Sequence, residues 1–196
     1  GGDFSYYTYL QSFNDFTGPV KNDPLVRLYN FYFKWSNIAN IGEVSLGRQA
    51  IFAGVGSGTI DGGIVSAKFF DSQLKVMGYY GLLPAPRMKA ELIGDRKNNF
   101  MTGGQIVGSP TEFSHASLSY TKKQIKPDAY VAIRRDSLYN PYTIEIKPTA
   151  DAEEYFSGDI SVEYEEKVSG YARYDYDMLL EKMSRLQLFT RVKVLE

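Results

Sequence analysis

The chain has 196 residues, 22 Lys and Arg against 23 Asp and Glu, one His and no Cys, for a formal charge of −1. There is no basic excess to neutralise a phosphate backbone and no acidic excess to keep the chain disordered, so neither a nucleic-acid partner nor intrinsic disorder is expected. The missing cysteine removes disulfides, thiolate metal sites and a cysteine nucleophile. The distinctive figure is 15% aromatic residues, with 16 Tyr, 12 Phe and 1 Trp beside 18 Gly. Tyr and Phe suit a pleated strand surface, and no stretch of about 18 apolar residues offers a membrane-spanning helix.

In chain order, period-two alternation predicts about twelve strands in a single domain over 1–196: 3–12, 24–36, 41–52, 63–71, 73–83, 98–107, 113–122, 128–136, 141–147, 155–164, 167–178 and 185–195. In the second of them Tyr29, Phe31, Phe33 and Trp35 share a face opposite Asn30, Lys34 and Ser36. In the last third, Val168, Ala172, Tyr174 and Tyr176 oppose Ser169, Tyr171, Arg173 and Asp175, and Leu186, Leu188, Val192 and Val194 oppose Arg185, Gln187, Arg191 and Lys193. A one-residue slip would invert every face, so register is strongly specified. Around Met178 to Met183 lies the best helix candidate, and it is too short to matter.

The links between strands alternate in length. Those at 13–23, 53–62, 84–97 and 148–154 are long, and those near Asn37 to Asn40, Asp71 to Ser72, Ser109 to Thr111, Ser137 to Asn140 and Glu165 to Lys167 are tight. Links near Gln124 and Leu180 are intermediate. Tight turns at one end and excursions at the other are the habit of outer-membrane barrels. Strands of about ten residues, rising 3.3 Å each and tilted near 40°, span about 25 Å, the height of such a barrel's apolar band. Tyr6, Tyr7, Tyr9, Tyr79 and Tyr80 are candidates for interfacial girdles. The expected fold is all-β, an antiparallel up-and-down transmembrane barrel. Its strand number is even, as a closed antiparallel barrel requires, and the chain is either that whole barrel or part of a larger one.

One segment carries a more specific signal. Ser45, Leu46, Gly47, Arg48 and Gln49 lead through Gly54, Gly56 and Gly58 to Thr59, Ile60, Asp61, Gly62 and Gly63. A Leu-Gly-Arg-Gln strand, a Gly-rich excursion and an Asp-Gly opening the next strand resemble outer-membrane porins, including the alginate-export type and related substrate-specific channels. The resemblance implies a passive channel for small hydrophilic solutes in the bacterial outer membrane, with Arg48 and Gln49 near the pore wall and Asp61 tying the loop to the barrel so that the lumen narrows. A structural ion pair between Arg48 and Asp61, with glycines that merely permit tight turns, explains the same residues.

Strand phase extends the set of inward residues to Lys34, Lys68, Lys75, Gln105, Arg134, Glu145, Glu163, Arg173, Asp175, Arg185, Gln187, Arg191 and Lys193. Mixed signs on a channel wall predict weak ion selectivity. The competing description is a filled interior in which these groups neutralise one another. The expected partners are membrane lipids outside and solutes inside, and both single units and homo-oligomers fit.

Two other classes compete. A soluble β-sandwich that binds carbohydrate or another ligand would generate similar alternation and would bury Trp35 or stack it on sugar. A barrel-embedded lipid hydrolase would use His115 and Ser117, two apart on one strand face. Leu118 and Ser119 depart from such enzymes' patterns, and no orienting acid is placed by the sequence, so no catalytic residue is expected. Metal chemistry has only the carboxylate groups Asp151, Glu153, Glu154 and Glu163, Glu165, Glu166 to draw on. The Gly run at 54–58 lacks the Lys-Ser/Thr of a phosphate loop, and no cofactor is expected.

Overall fold

The computed structural model describes residues 2–13, 26–165 and 167–193. The strands are β1 (Asp3–Ser12), β2 (Val26–Ile38), β3 (Gly42–Ala53), β4 (Gly56–Phe69), β5 (Leu74–Leu82), β6 (Phe100–Thr111), β7 (Ser114–Ile125), β8 (Tyr130–Arg135), β9 (Pro141–Ile146), β10 (Asp151–Tyr164), β11 (Val168–Asp177) and β12 (Lys182–Val192). One turn of 3-10 helix, Pro86–Met88, is the only helical element among the described residues.

Ten strands form one antiparallel sheet in the order β1-β2-β3-β4-β5-β6-β7-β10-β11-β12, and β1 and β12 are its two edges. The sheet is therefore up-and-down throughout, but it is not closed. Strands β8 and β9 lie outside it as a separate two-stranded sheet, because β7 pairs directly with β10 from Asp151↔Ile125 to Val162↔Ser114. This corrects the expectation of twelve strands in one barrel, and with it the positions of Arg134 and Glu145, which sit on β8 and β9 and not in the ten-stranded sheet. The two strands have six residues each, and residues 126–150 as a whole form one excursion between β7 and β10. With that hairpin counted as part of an excursion, the tight turns at Asn37–Asn40, Phe70–Ser72, Glu112–Phe113 and Glu165–Lys167 all fall at one end of the sheet. The long link at 13–23 lies outside the described residues, apart from Phe13.

Positive φ values at Asn37, Ala39, Asn40, Phe70, Asp71, Ser72 and Glu165 show how sharply the tight turns reverse the chain. At the tip of the β8–β9 excursion, Asp136 accepts hydrogen bonds from the backbone N–H groups of Leu138 and Asn140, both at 2.8 Å. The Asn140 backbone bond is the main cause that holds its carboxyl below the usual carboxylate range, with the Asn140 side chain and Leu138 adding to it. A depressed pKa contributes stability that is complete above the unfolded value and is lost as pH falls through the folded one. Amide hydrogen exchange is expected to find Leu138 and Asn140 protected at neutral pH and unprotected once acid takes Asp136 through its lowered pKa.

The two faces of the ten-stranded sheet differ in an unusual sense. One carries Phe33, Trp35, Leu46, Val65, Val76, Tyr80, Ile106, Leu118, Ile160, Tyr174, Leu186 and Leu188, each between 37% and 71% exposed. The other carries Ser45, Gln49, Ser66, Ser117, Ser119, Thr121, Ser157 and Asp175, all below 9%. Large apolar side chains thus face outward while small polar ones are buried, the reverse of a water-soluble sheet. Among the described residues no second sheet packs over the apolar face, as a sandwich would require.

Candidate functional site

A bent hairpin organises the inner, polar face. Strands β3 and β4 pair with each other from Gly42↔Ala67 to Ala53↔Gly56, joined by a two-residue turn at Gly54 and Val55. Yet β3 pairs with β2 only as far as Phe31↔Arg48, and β4 pairs with β5 only as far as Asp61↔Leu82. Beyond the Arg48–Asp61 level the hairpin leaves the sheet. The predicted loop at 53–62 is therefore mostly strand, a correction that period-two reading missed because glycines leave gaps in the pattern.

The bend sits where Gly47, Gly62 and Gly81 lie side by side on the inner face in the β3–β4–β5 register. Gly47 has φ of 130°, and a Cβ on Gly62 would run into the backbone of Tyr80 and Gly81. Only a row without side chains lets the hairpin fold so closely over β5. Past it, Ile60 covers Gly81, and Ile51, Ala53 and Ile60 pack with Tyr79, Leu83 and Met101 into the principal buried apolar cluster. Burying each isoleucine stabilises by about 1.5–3 kcal/mol.

The tip reaches across the inner face to β7. The Val55 N–H donates to Ser119 Oγ at 3.3 Å, and Tyr79 Oη and Thr121 Oγ1 are 2.6 Å apart in a buried hydrogen bond. Gly54 has φ of 58°, and a Cβ there would overlap the Ser119 side chain. Ser119, Thr121 and Tyr79 were not singled out by the sequence reading as a docking surface, and Tyr79, at 5% exposure, is not a girdle residue. The signal that could have found the dock is the period-two run of small polar residues Ser117, Ser119 and Thr121, which leaves room for something to lie against β7. Tyr6 and Tyr80 do point to the exposed apolar face, at 67% and 60% exposure, whereas Tyr7 and Tyr9 point the other way and stack on Tyr32 and Tyr29.

Arg48 is the knot of this arrangement. Its Nε and Nη2 donate to the two carboxylate oxygens of Asp61 at 2.5 and 2.6 Å, a bidentate pair. Its Nη1 donates to the carbonyls of Leu28 at 3.1 Å and Lys89 at 2.6 Å, and Nη2 also donates to the Glu91 carbonyl at 3.0 Å. All five guanidinium N–H groups are thereby used. The pair is nearly inaccessible, at 4% for Arg48 and 8% for Asp61, and lies on the outward face between Phe31, Leu46, Tyr80 and Leu92. Its geometry is that of the structural ion pair, which ties β2, β3, β4 and the strap of residues 83–99 together at the bend. Gln49 turns inward, where Ser45 Oγ donates to its Oε1 at 2.6 Å.

The strap is anchored at its other end by Asn99. Its Nδ2 donates to the Asp95 carbonyl at 3.0 Å, and its Oδ1 accepts from the Lys126 N–H at 2.9 Å. Hydrogen bonds from Asn98 first, then from Lys126 Nζ, lower the Asp95 pKa.

The remaining inner residues fall into cross-strand rows on β7, β10, β11 and β12. One row is Ser117, Asp159, Arg173 and Gln187, and the next is Ser119, Ser157, Asp175 and Arg185. Ser117 Oγ donates to Asp159 at 2.5 Å, Ser157 Oγ donates to Asp175, and Asp175 meets Arg173 at 2.9 Å and Arg185 at 3.6 Å. Lys34 pairs with Glu43 at 2.9 Å, while Lys68 and Lys75 stand directly opposite each other without a carboxylate between them. Gln105 lies beside Ser119, below the hairpin tip. Glu163 and Arg191 flank Ser169 in the row nearest the tight turns.

The geometry gives His115 and Ser117 separate partners. His115 Nδ1 is 2.7 Å from Ser109 Oγ, whereas the Ser117 hydroxyl is directed to Asp159. No group of three or more His, Asp or Glu suited to a metal occurs among the described residues. No family model, curated protein or solved structure matches the chain.

Proposed function

We propose that the ten-stranded sheet is the wall of an outer-membrane porin-type barrel that passes small hydrophilic solutes by diffusion. The observation that carries this reading is the inverted partition of the sheet: exposed large apolar side chains on one face, buried small polar and charged ones on the other. Such a sheet is stable when lipid covers the first face and water or solute meets the second. The folded-in β3–β4 hairpin supports the reading, since it narrows the space over the inner face while the strap, tied through Arg48, covers the outside of the same bend. In a bilayer the edges β1 and β12 must be paired, and with eight strands between them they run antiparallel, so each presents the right polarity to the other or to added strands. The mixed charges of the Asp159, Arg173, Asp175 and Arg185 rows favour weak ion selectivity.

The test is planar-bilayer conductance after refolding into detergent, where discrete stable current steps are expected. Protein that stays monodisperse without detergent and never conducts would favour the soluble binding module. An independent test uses Leu118, which is 52% exposed on the apolar face. In lipid, Leu118→Arg is expected to cost about 2–4 kcal/mol of unfolding free energy. In water an exposed substitution of this kind costs within about 0.5 kcal/mol, so a neutral result in vesicles would sink the membrane reading.

A further inference from the structure

The row of the inner face nearest the tight turns is built differently from those above it. Glu163 on β10, Ser169 on β11 and Arg191 on β12 are consecutive cross-strand neighbours. Strands lie about 4.8 Å apart, so the backbones that carry the carboxylate and the guanidinium are separated by about 10 Å, with only a serine between them. Arg173, Arg185 and Asp175 two and three rows away neutralise one another. Among the described residues, Glu163 and Arg191 join no ion pair at all.

The next row supplies apolar surface. Tyr171 and Phe189 are paired across β11 and β12, beside Ser161 and His115. These residues and Glu163 line a cavity of about 530 Å³, and Glu163, Ser169 and Arg191 line an adjoining one of about 270 Å³ together with Lys193 and with Lys167, which is paired to Glu165. The larger volume falls within the range of small-molecule sites. Opposite charges held apart over a small residue, with two aromatic rings on one side, are complementary to a molecule that carries both charged groups on one carbon and a bulky apolar group beside them.

We propose that this is a binding site for a zwitterionic α-amino acid with an aromatic or large aliphatic side chain. The Glu163 carboxylate accepts hydrogen bonds from the ligand ammonium, and Arg191 donates a bidentate pair to its carboxylate. Ser169 adds a hydroxyl between them, and Tyr171 and Phe189 hold the side chain. The site rests on the reading of the inner face as a solvent-filled lumen, and it makes that channel prefer amphipathic zwitterions over singly charged solutes of equal size.

The experiment compares phenylalanine with phenylalaninamide, which lacks the carboxylate charge, and with 3-phenylpropionate, which lacks the ammonium. Binding is measured by calorimetry on the full chain refolded in detergent, and current block is measured in parallel in planar bilayers. Phenylalanine is expected to bind about tenfold tighter than either relative. Glu163→Gln should erase its advantage over 3-phenylpropionate, and Arg191→Gln its advantage over phenylalaninamide. Because the ligand series needs only the unaltered protein, it decides the matter even if a variant fails to fold. Three probes that bind alike, or none that binds, overturn the site while leaving any conductance standing. Selective phenylalanine binding without current would instead keep the site and remove the channel.

Discussion

Arg48→Met is expected to lower the unfolding free energy by about 3–5 kcal/mol, since it leaves the Asp61 carboxylate buried without its counter-charge. The loss is not only Coulombic. The carbonyls of Leu28, Lys89 and Glu91 lose their donor at the same time, the first from β2 and the other two from the strap just after its 3-10 turn. Arg48→Lys should restore little, because an ammonium has no planar fork to serve Asp61 bidentately while also reaching three carbonyls. The double variant Arg48→Met, Asp61→Leu should recover most of the loss, as replacing a buried pair by apolar residues of similar volume often does. Urea unfolding of the refolded protein, followed by the Trp35 fluorescence, measures all three. A single Arg48 variant as stable as the parent would show that the strap is held by other contacts.

Trimming the bent hairpin is expected to act on conductance more than on stability of the wall. Residues 50–59 form no ladder with β2 or β5, so replacing them with a two-residue Asn-Gly turn removes only the β3–β4 rungs of the hairpin itself and no pairing with the neighbouring strands. It does remove Ile51 and Ala53, and it uncovers Ser119, Thr121 and Gln105. Single-channel current should rise about twofold or more, in line with a wider narrowest section. Unchanged current would mean that the hairpin does not stand in the conducting path.

The relation between the two predictions lies in the bend. The Gly47, Gly62 and Gly81 row permits the hairpin to fold inward, and the Arg48–Asp61 pair is the last rung before it leaves. A departing hairpin leaves residues 26–30 of β2 without a partner on the β3 side. The strap crosses that gap, with Pro86–Met88 beside β2 and its carbonyls on Arg48. One side chain therefore holds the cover over the opening that the hairpin creates.

Much of this was legible before any coordinates. Period-two alternation located nine of the ten sheet strands to within four residues at either end, missing the first seven residues of β4, and it grouped Arg173, Asp175, Arg185, Gln187 and Arg191 on one face, where the register does put them. Alternation is a local property: each residue's face is set by its neighbours two positions away, so a single strand's sequence suffices. Three of the four tight turns were equally readable from Asn, Asp, Ser and Glu clusters between apolar runs, whereas Ser109–Thr111, expected as the fourth, is the end of β6 and the chain turns at Glu112–Phe113.

Other features depended on contacts distant in sequence. Arg48 bonds to carbonyls 20, 41 and 43 residues away, and backbone carbonyls have no residue-type signature that could announce them. Strands β8 and β9 alternate like the others, but pairing is a competition, and the long ladder between β7 and β10 excludes two six-residue strands from the wall. The sequence by itself determined strand periodicity, the polarity of each face and the ends at which the chain turns, because these follow from local backbone geometry. Tertiary structure alone decided that the β3–β4 hairpin folds over the inner face and that Arg48 locks the strap behind it, because both depend on which surfaces meet once the sheet has formed.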